Sequence, residues 1–160
     1  MLFRSLQEYL PGTEYCVVAI GNVDGSDFRV LPILEKDYSA FGTDYPPITG
    51  FEVKWWSQSE PFPYDLDLKP AVLSSDERAS IERDVSRLFR RFACRDYAKF
   101  DFRRSACGEI RLIDVNPNFD LFSDSLMMMA ELAGSTHAAV IDAIIEAALR
   151  RYGKAENHKG

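Results

Sequence analysis

Histidine is nearly absent from this chain: only His137 and His158 occur, and cysteine is limited to Cys16, Cys94 and Cys107. So few imidazoles make a His-based triad or zinc site hard to build, which pushes any chemistry toward Asp, Glu, Lys and Arg. The cysteines form no CxxC pair and no metal-ligand spacing. An odd number without a secretory signal is expected of reduced thiols in a cytoplasm. The opening MLFRSLQEYLPG lacks the apolar core of a signal peptide, and no apolar run approaches a membrane span. A basic surplus is missing too. The net charge of -6 argues against a general nucleic-acid binder. What is present is material for a core: hydrophobic residues make up 46% of 160 residues, enough for one globular domain. With no internal repeat and no linker, residues 1–152 are expected to form that domain and 153–160 a polar tail.

Glu14 to Ile20 (EYCVVAI) and Phe28 to Leu34 (FRVLPIL) read as strands joined by the turn-rich GNVDGSD. From Glu35 to Pro70 the chain is irregular and rich in proline, interrupted by a short strand around Phe51 to Trp55. A loop of that length usually has a task, such as covering a site. Ser74 and Glu77 have the spacing of a capping box at the start of a helix over Ser75 to Ala93. Its apolar face is Ile81, Val85, Leu88, Phe89 and Phe92. Arg83, Arg87, Arg90 and Arg91 fall nearly opposite, as the solvent side of an amphipathic helix should, which accounts for them better than a nucleic-acid stripe. Two more helices are expected over Ser123 to Ala133 and Ala138 to Tyr152, with Met127, Met128 and Met129 filling core and His137 at a helix start or in solvent. The fold class is α+β, an antiparallel β-sheet backed by α-helices.

The richest stretch is YAKFDFRRSACGEIRLIDVN, Tyr97 to Asn116, which reads as a β-hairpin. Alternation puts Lys99 and Asp101 on one face of its first strand and Ala98, Phe100 and Phe102 on the other. On the second strand it puts Ile110, Leu112, Asp114 and Asn116 on a common face. With Ala106 to Glu109 as the loop, Ser105 pairs with Ile110, Asp101 falls opposite Asp114, and Lys99 opposite Asn116. Facing carboxylates destabilise a ladder unless a cation lies between them, and a hard divalent ion held by oxygen is the natural one. The bland alternative is a pair of polar strand ends. Pro117 stops the strand and frees Asn116 and Asn118 to face a cleft. Lys54, in FEVKWW, is either a solvated lysine beside aromatic residues or a lysine reaching a phosphate.

Three blocks in order give the chain a resemblance to the C-terminal half of the ATP-grasp domain of D-alanine–D-alanine ligase-like enzymes. They are QEYLPGTEYCVVAIG, FEVKW, and KFDFRRSACGEIRLIDVNPNFDLFSDSLMMMAELAG. The last is the specific one, and the resemblance runs from about Leu6 to Tyr152. It implies that Gln7, Tyr9 and Leu10 line an adenine pocket, that Glu14 accepts the ribose hydroxyls, and that Lys54 reaches the terminal phosphates of ATP. It implies two magnesium ions (manganese as a substitute), with Asp101 on one, Asp114 bridging both and Asn116 completing the second. Lys99 takes the place of an arginine that steadies the transferred phosphate, and Ser125 and Leu126 lie near the substrate carboxylate. The implied activity is a carboxylate–amine ligase acting through an acyl phosphate.

Three residues depart from the family's pattern. Asp114 is one methylene shorter than the usual bridging Glu, Lys99 lacks the planar fork of arginine, and Asp120 stands where dipeptide ligases carry a glycine. They bear on D-Ala-D-Ala as the product while leaving ATP and magnesium expected. The family's other lobes, which carry further phosphate lysines and a glycine-rich loop, would precede Leu6. The expectation is therefore a portion of a ligase with little turnover by itself, whose partners are ATP, an amino-acid or other carboxylate, the missing N-terminal lobes and a homodimer mate. Neither nucleic acid nor membrane is expected as a partner. The alternative is a non-catalytic remnant acting as a nucleotide-binding or interaction module.

Overall fold

Strand β1 (Glu14–Ile20) is buried at all seven positions, as expected of a central strand covered on both faces. The computed structural model describes residues 7–43, 45–50, 53 and 66–153. Around β1 lie β2 (Arg29–Val30), β3 (Leu34–Asp37), β4 (Asp67–Pro70), β5 (Tyr97–Arg104) and β6 (Ile110–Asn116). The sheet is antiparallel, in the order β4-β3-β1-β5-β6, with β2 pairing the far end of β1. Among the described residues a 3-10 turn (Ser39–Phe41) and three full α-helices complete the fold: α1 (Ser75–Arg91), α2 (Asp124–Leu132) and α3 (His137–Arg151). This is the expected α+β layering.

The period of two along β1 sorts the core into two layers. Tyr15, Val17 and Ala19 join Ala98, Phe100 and Phe102 of β5 against Ile81, Val85 and Phe89 of α1. Cys16, Val18, Ile20 and Leu34 face Leu126, Met129, Val140 and Ile144 of α2 and α3. Truncating Phe89, 1% exposed and edge-on to Phe28 at 5.3 Å, would cost about 3 kcal/mol or more. The Ser74–Glu77 capping box is formed. The arginines at 83, 87, 90 and 91 are exposed on α1, while Phe92 lies beyond its last turn and is 56% exposed rather than part of the apolar face. Among the methionines Met129 is fully buried and Met127 is at the surface. His137 opens α3 and its Nε2 lies 2.6 Å from the Leu121 carbonyl oxygen. Among the described residues no single helix is long and apolar enough to cross a membrane.

The second expected strand, Phe28 to Leu34, is divided into β2 and β3 around Pro32, which has no N–H for the ladder. The stretch from Glu35 to Pro70 is also more regular than its prolines suggest. It contains the end of β3 and all of β4, paired from Leu34↔Pro70 to Asp37↔Asp67. Pro70 fits because it ends an edge strand. Of the short strand expected at 51–55, only Val53 lies among the described residues, and it is helical rather than extended.

The β5–β6 hairpin departs from simple alternation in one place. Near the turn the pairs are Arg104↔Ile110, Arg103↔Arg111 and Phe102↔Leu112; beyond it they are Asp101↔Asp114, Phe100↔Val115 and Lys99↔Asn116. The register shift leaves Ile113 as the extra residue of a β-bulge. Ser105 therefore does not pair with Ile110; its N–H donates to the Glu109 carbonyl at 2.8 Å. The bulge also separates residues expected on one face. Ile110, Leu112 and Val115 pack on the α1 side with Phe102, whereas Asp114 and Asn116 pair opposite Asp101 and Lys99, whose side of β5 is the α2–α3 side.

Candidate functional site

Beyond the reach of α2 and α3, the same sheet face carries charge instead of hydrocarbon. Cys16 of β1 pairs with Asp101 of β5, and Asp101 with Asp114 of β6. Asp101 is 8% exposed, and its Oδ1 is the only buried side-chain nitrogen or oxygen without a hydrogen-bond partner among the described residues. Its Oδ2 lies 3.5 Å from Lys99 Nζ, a loose ion pair. Burial pushes the Asp101 carboxyl above the ordinary carboxylate range, with Lys99 and Lys36 pulling the other way. Burial opposes the Lys99 charge, but Cys16 and Asp101 outweigh it and leave its pKa raised. The Cys16 thiol, pushed up to about 11 by burial, stays neutral. Asp114 is exposed; the Asn116 side-chain oxygen accepts the Asn118 N–H at 3.0 Å.

Glu14, one pair further along the face, is held differently. It lies between Lys36 of β3 and Arg103 of β5 and is 4% exposed. Its Oε1 accepts from Lys36 Nζ at 2.5 Å; its Oε2 accepts from the Tyr38 hydroxyl at 2.9 Å and from Arg103 at 3.0 Å. Arg103 also donates to the carbonyls of Gly12 and Pro47, while Lys36 donates to the Thr49 hydroxyl. Burial pushes the Tyr38 phenol up, so it remains a donor. Lys36, Tyr38 and Arg103 were not singled out in the sequence. Arg103 shares the phase of Lys99 and Asp101 on β5, and continuing that alternation is the signal that finds it.

The other expected residues are scattered around these two carboxylates. Gln7 and Leu10 line a shallow hollow of about 220 Å³ with Glu8 and the start of β6. The Tyr9 ring is 54% exposed, with the Arg103 guanidinium 5.4 Å from its centroid. Ser125 lies in the first turn of α2, its hydroxyl 3.1 Å from that of Ser123, and Leu126 is fully buried in the core. Asp120 turns its carboxylate into its own loop, accepting the Phe122 N–H at 2.9 Å. Lys54 lies outside the described residues. Among the described residues, no group of three or more His, Cys, Asp or Glu is arranged to hold a metal. The hairpin offers two carboxylates, an amide oxygen and a lysine. This is a hard, incomplete donor set suited to an ion that brings further oxygen ligands with it.

No family model matches the chain. Over 149 residues, 92% of its length, it is 31% identical to the uncharacterized protein y4sG of Sinorhizobium fredii and covers 41% of that protein. Among solved structures, D-alanine–D-alanine ligase from Bacillus anthracis matches with a TM-score of 0.63 at 21% identity, over 90% of this chain and 42% of that one. The same enzyme complexed with ATP gives 0.59 at 17%, over 89% and 38%. The ligase from Coxiella burnetii gives 0.61 at 15%, over 94% and 35%. The chain thus spans less than half the length of each of these proteins. Its fold is that of part of an ATP-grasp domain, as found in D-alanine–D-alanine ligases.

Proposed function

We propose that this chain is the C-terminal ATP- and magnesium-binding portion of an ATP-grasp carboxylate–amine ligase that works through an acyl phosphate, with the remaining lobes supplied by a longer protein. The observation that carries the proposal is Asp101. A buried carboxylate oxygen without a donor costs roughly 1–3 kcal/mol, more when charged, and a bound cation removes that cost. Asp101, Asp114 and Asn116 would hold the magnesium, the remaining coordination coming from phosphate oxygens and water. When bound, that ion neutralises triphosphate charge and polarises the phosphoryl group in transfer. Lys99 supplies a point charge at the same end of the hairpin, suited to the transferred phosphate. Gln7, Tyr9 and Leu10 would meet adenine, Lys54 the terminal phosphates, and Ser125 the substrate carboxylate. The Bacillus anthracis ligase complexed with ATP has the same fold over 89% of this chain, which supports ATP as the nucleotide.

Glu14 favours a second reading. Both its oxygens are engaged by Lys36, Tyr38 and Arg103, which leaves a ribose one acceptor site, on Oε1 of a carboxylate that is 4% exposed. A non-catalytic remnant that keeps the fold as a binding module fits that closure. Isothermal titration with magnesium and a non-hydrolysable ATP analogue tests both readings, with Mn²⁺ binding followed by electron paramagnetic resonance. The enzyme reading expects saturable binding that weakens at least about tenfold in Asp101→Asn, the loss of a charged ligand. Inorganic triphosphate binding as tightly as the analogue favours the remnant. Asp101→Asn behaving like the parent chain in both assays sinks the metal site.

A further inference from the structure

A second concavity lies at the opposite end of β1, away from the paired carboxylates. It encloses about 520 Å³ between the β1–β2 loop, the C-terminal ends of α1 and α3, and the turn leading into β5. That volume lies within the range of small-molecule sites. Its apolar lining comes from Val23, Ala93 and Cys94, with the Phe89 ring buried in the core behind them. Four arginines surround it: Arg90, Arg95, Arg150 and Arg151.

The walls are tied together by their own polar groups. Arg151 holds Asp96 through two contacts at 2.6 and 3.1 Å, Arg150 holds Asp27 at 3.1 Å, and Asn22 donates to the Ala147 carbonyl at 3.0 Å. These ties fix the loop and the turn to α3, so the concavity is formed before anything enters it. Arginines in the last turns of α1 and α3 also balance the helix dipoles. Neither account covers Arg95. It belongs to no helix and makes no side-chain hydrogen bond or ion pair among the described residues. Arg90 is nearly as free: its acceptor Asp24 is 3.5 Å away, with a side chain 94% exposed. The turn carrying Arg95 lies between Ala93 (φ 51) and Asp96 (φ 66), the only non-glycine residues with positive φ among those described. Ala93 occupies the left-handed position after α1, where glycine is usual, at a cost of roughly 1 kcal/mol. Such strain is often stored beside binding sites.

We infer that this concavity binds a small organic anion, its carboxylate or phosphate head taken by Arg95 and Arg90 and its apolar body laid on Val23, Ala93 and Cys94. Asp24 and Asp27 also line the space, but Arg150 neutralises Asp27, and Asp24 is the group the anion would replace on Arg90. Guanidinium pairs suit planar carboxylates and phosphates. The inference is independent of the magnesium site.

The test is a nuclear magnetic resonance titration of the 160-residue chain with phenyl phosphate and, separately, phenylacetate, the two arms distinguishing phosphate from carboxylate heads. Saturable shifts confined to the amides of Val23, Gly25, Phe89 and Arg95 are expected for at least one probe. Arg95→Ala and Arg90→Ala should each weaken binding about tenfold, the loss of a charge-assisted contact. Arg87→Ala, on the exposed face of α1, and Asp101→Asn should leave it unchanged. Shifts scattered over every surface arginine would overturn the proposal. So would Arg95→Ala and Arg90→Ala both binding like the parent, or inorganic phosphate and acetate matching the phenyl probes. Amide spectra of each variant verify that the fold is retained.

Discussion

Glu14 and Asp101 stand on the same face of the same sheet, one strand apart, both more than nine-tenths buried, and they meet opposite fates. Glu14 receives a lysine, an arginine and a tyrosine hydroxyl; Asp101 keeps a distant lysine and one oxygen with no donor at all. Burial alone therefore does not mark a functional carboxylate. A buried acid whose two oxygens both have donors holds the fold together, and one with an oxygen left without any is prepared for a cation from outside. The two ends of this charged stretch of sheet separate accordingly into a sealed end and an open end.

The largest test of this contrast is Arg103→Ala. It removes the guanidinium from a buried pair that is 5% exposed on both sides and frees two backbone carbonyls as well. Breaking such a pair costs about 3–5 kcal/mol, with Lys36 holding the loss near the lower figure. Urea unfolding should show it, and a loss under about 1 kcal/mol would mean the sealed end is not held by its charges. Asp101→Asn should act in the opposite direction. In metal-free buffer it replaces an unsatisfied buried charge by a neutral amide and should raise stability by about 1 kcal/mol, while removing any stabilisation by Mn²⁺. If it destabilises the chain as strongly as Arg103→Ala, the two carboxylates are alike and the distinction fails.

How much of this was legible beforehand depends on the kind of signal. The facing pairs Asp101↔Asp114 and Lys99↔Asn116 follow from alternation and were placed correctly. The turn that alternation implies is one residue out of register, and the bulge at Ile113 cancels that offset. An inserted residue leaves composition and apolar content almost unchanged, so alternation cannot reveal it; only the half-buried Ile110 and Leu112 on the α1 side show that the phase has flipped. The capping box, a local pattern of two residues, was read directly, as was the apolar face of α1 up to Phe89. Strand β4 was hidden because DLKP has neither strong β-propensity nor alternation; its place depends on pairing with β3. The Glu14 cluster was illegible for a related reason. Lys36, Tyr38 and Arg103 come from separate segments, and only the order β3-β1-β5 brings them together.

The smallest expected effect comes from a third carboxylate, on the other side of β5. Arg104 follows Arg103 in the chain and therefore points to the opposite face, where it donates to Glu77 at 2.7 Å and to the Tyr15 hydroxyl at 2.8 Å. Glu77 also accepts the Ser74 N–H in the capping box at 2.8 Å. That backbone donor first, and Arg104 second, lower its pKa from the ordinary 4.5 to about 2. A carboxyl depressed in the folded state is protonated more readily when unfolded. Its contribution is therefore complete above pH 4.5 and is lost as the pH falls from there toward about 2. Asp37, lowered to about 2 by the Ser39 N–H and by Lys69, acts over a similar window. Urea midpoints measured across that range should fall with acidity in the parent chain. In Glu77→Gln they should fall less steeply, with Asp37 leaving a residual slope. Because Glu77 is partly solvated, the change should be smaller than that of either buried variant. An unchanged slope would show that Glu77 caps its helix without coupling to protonation, leaving Arg104 to serve Tyr15 alone.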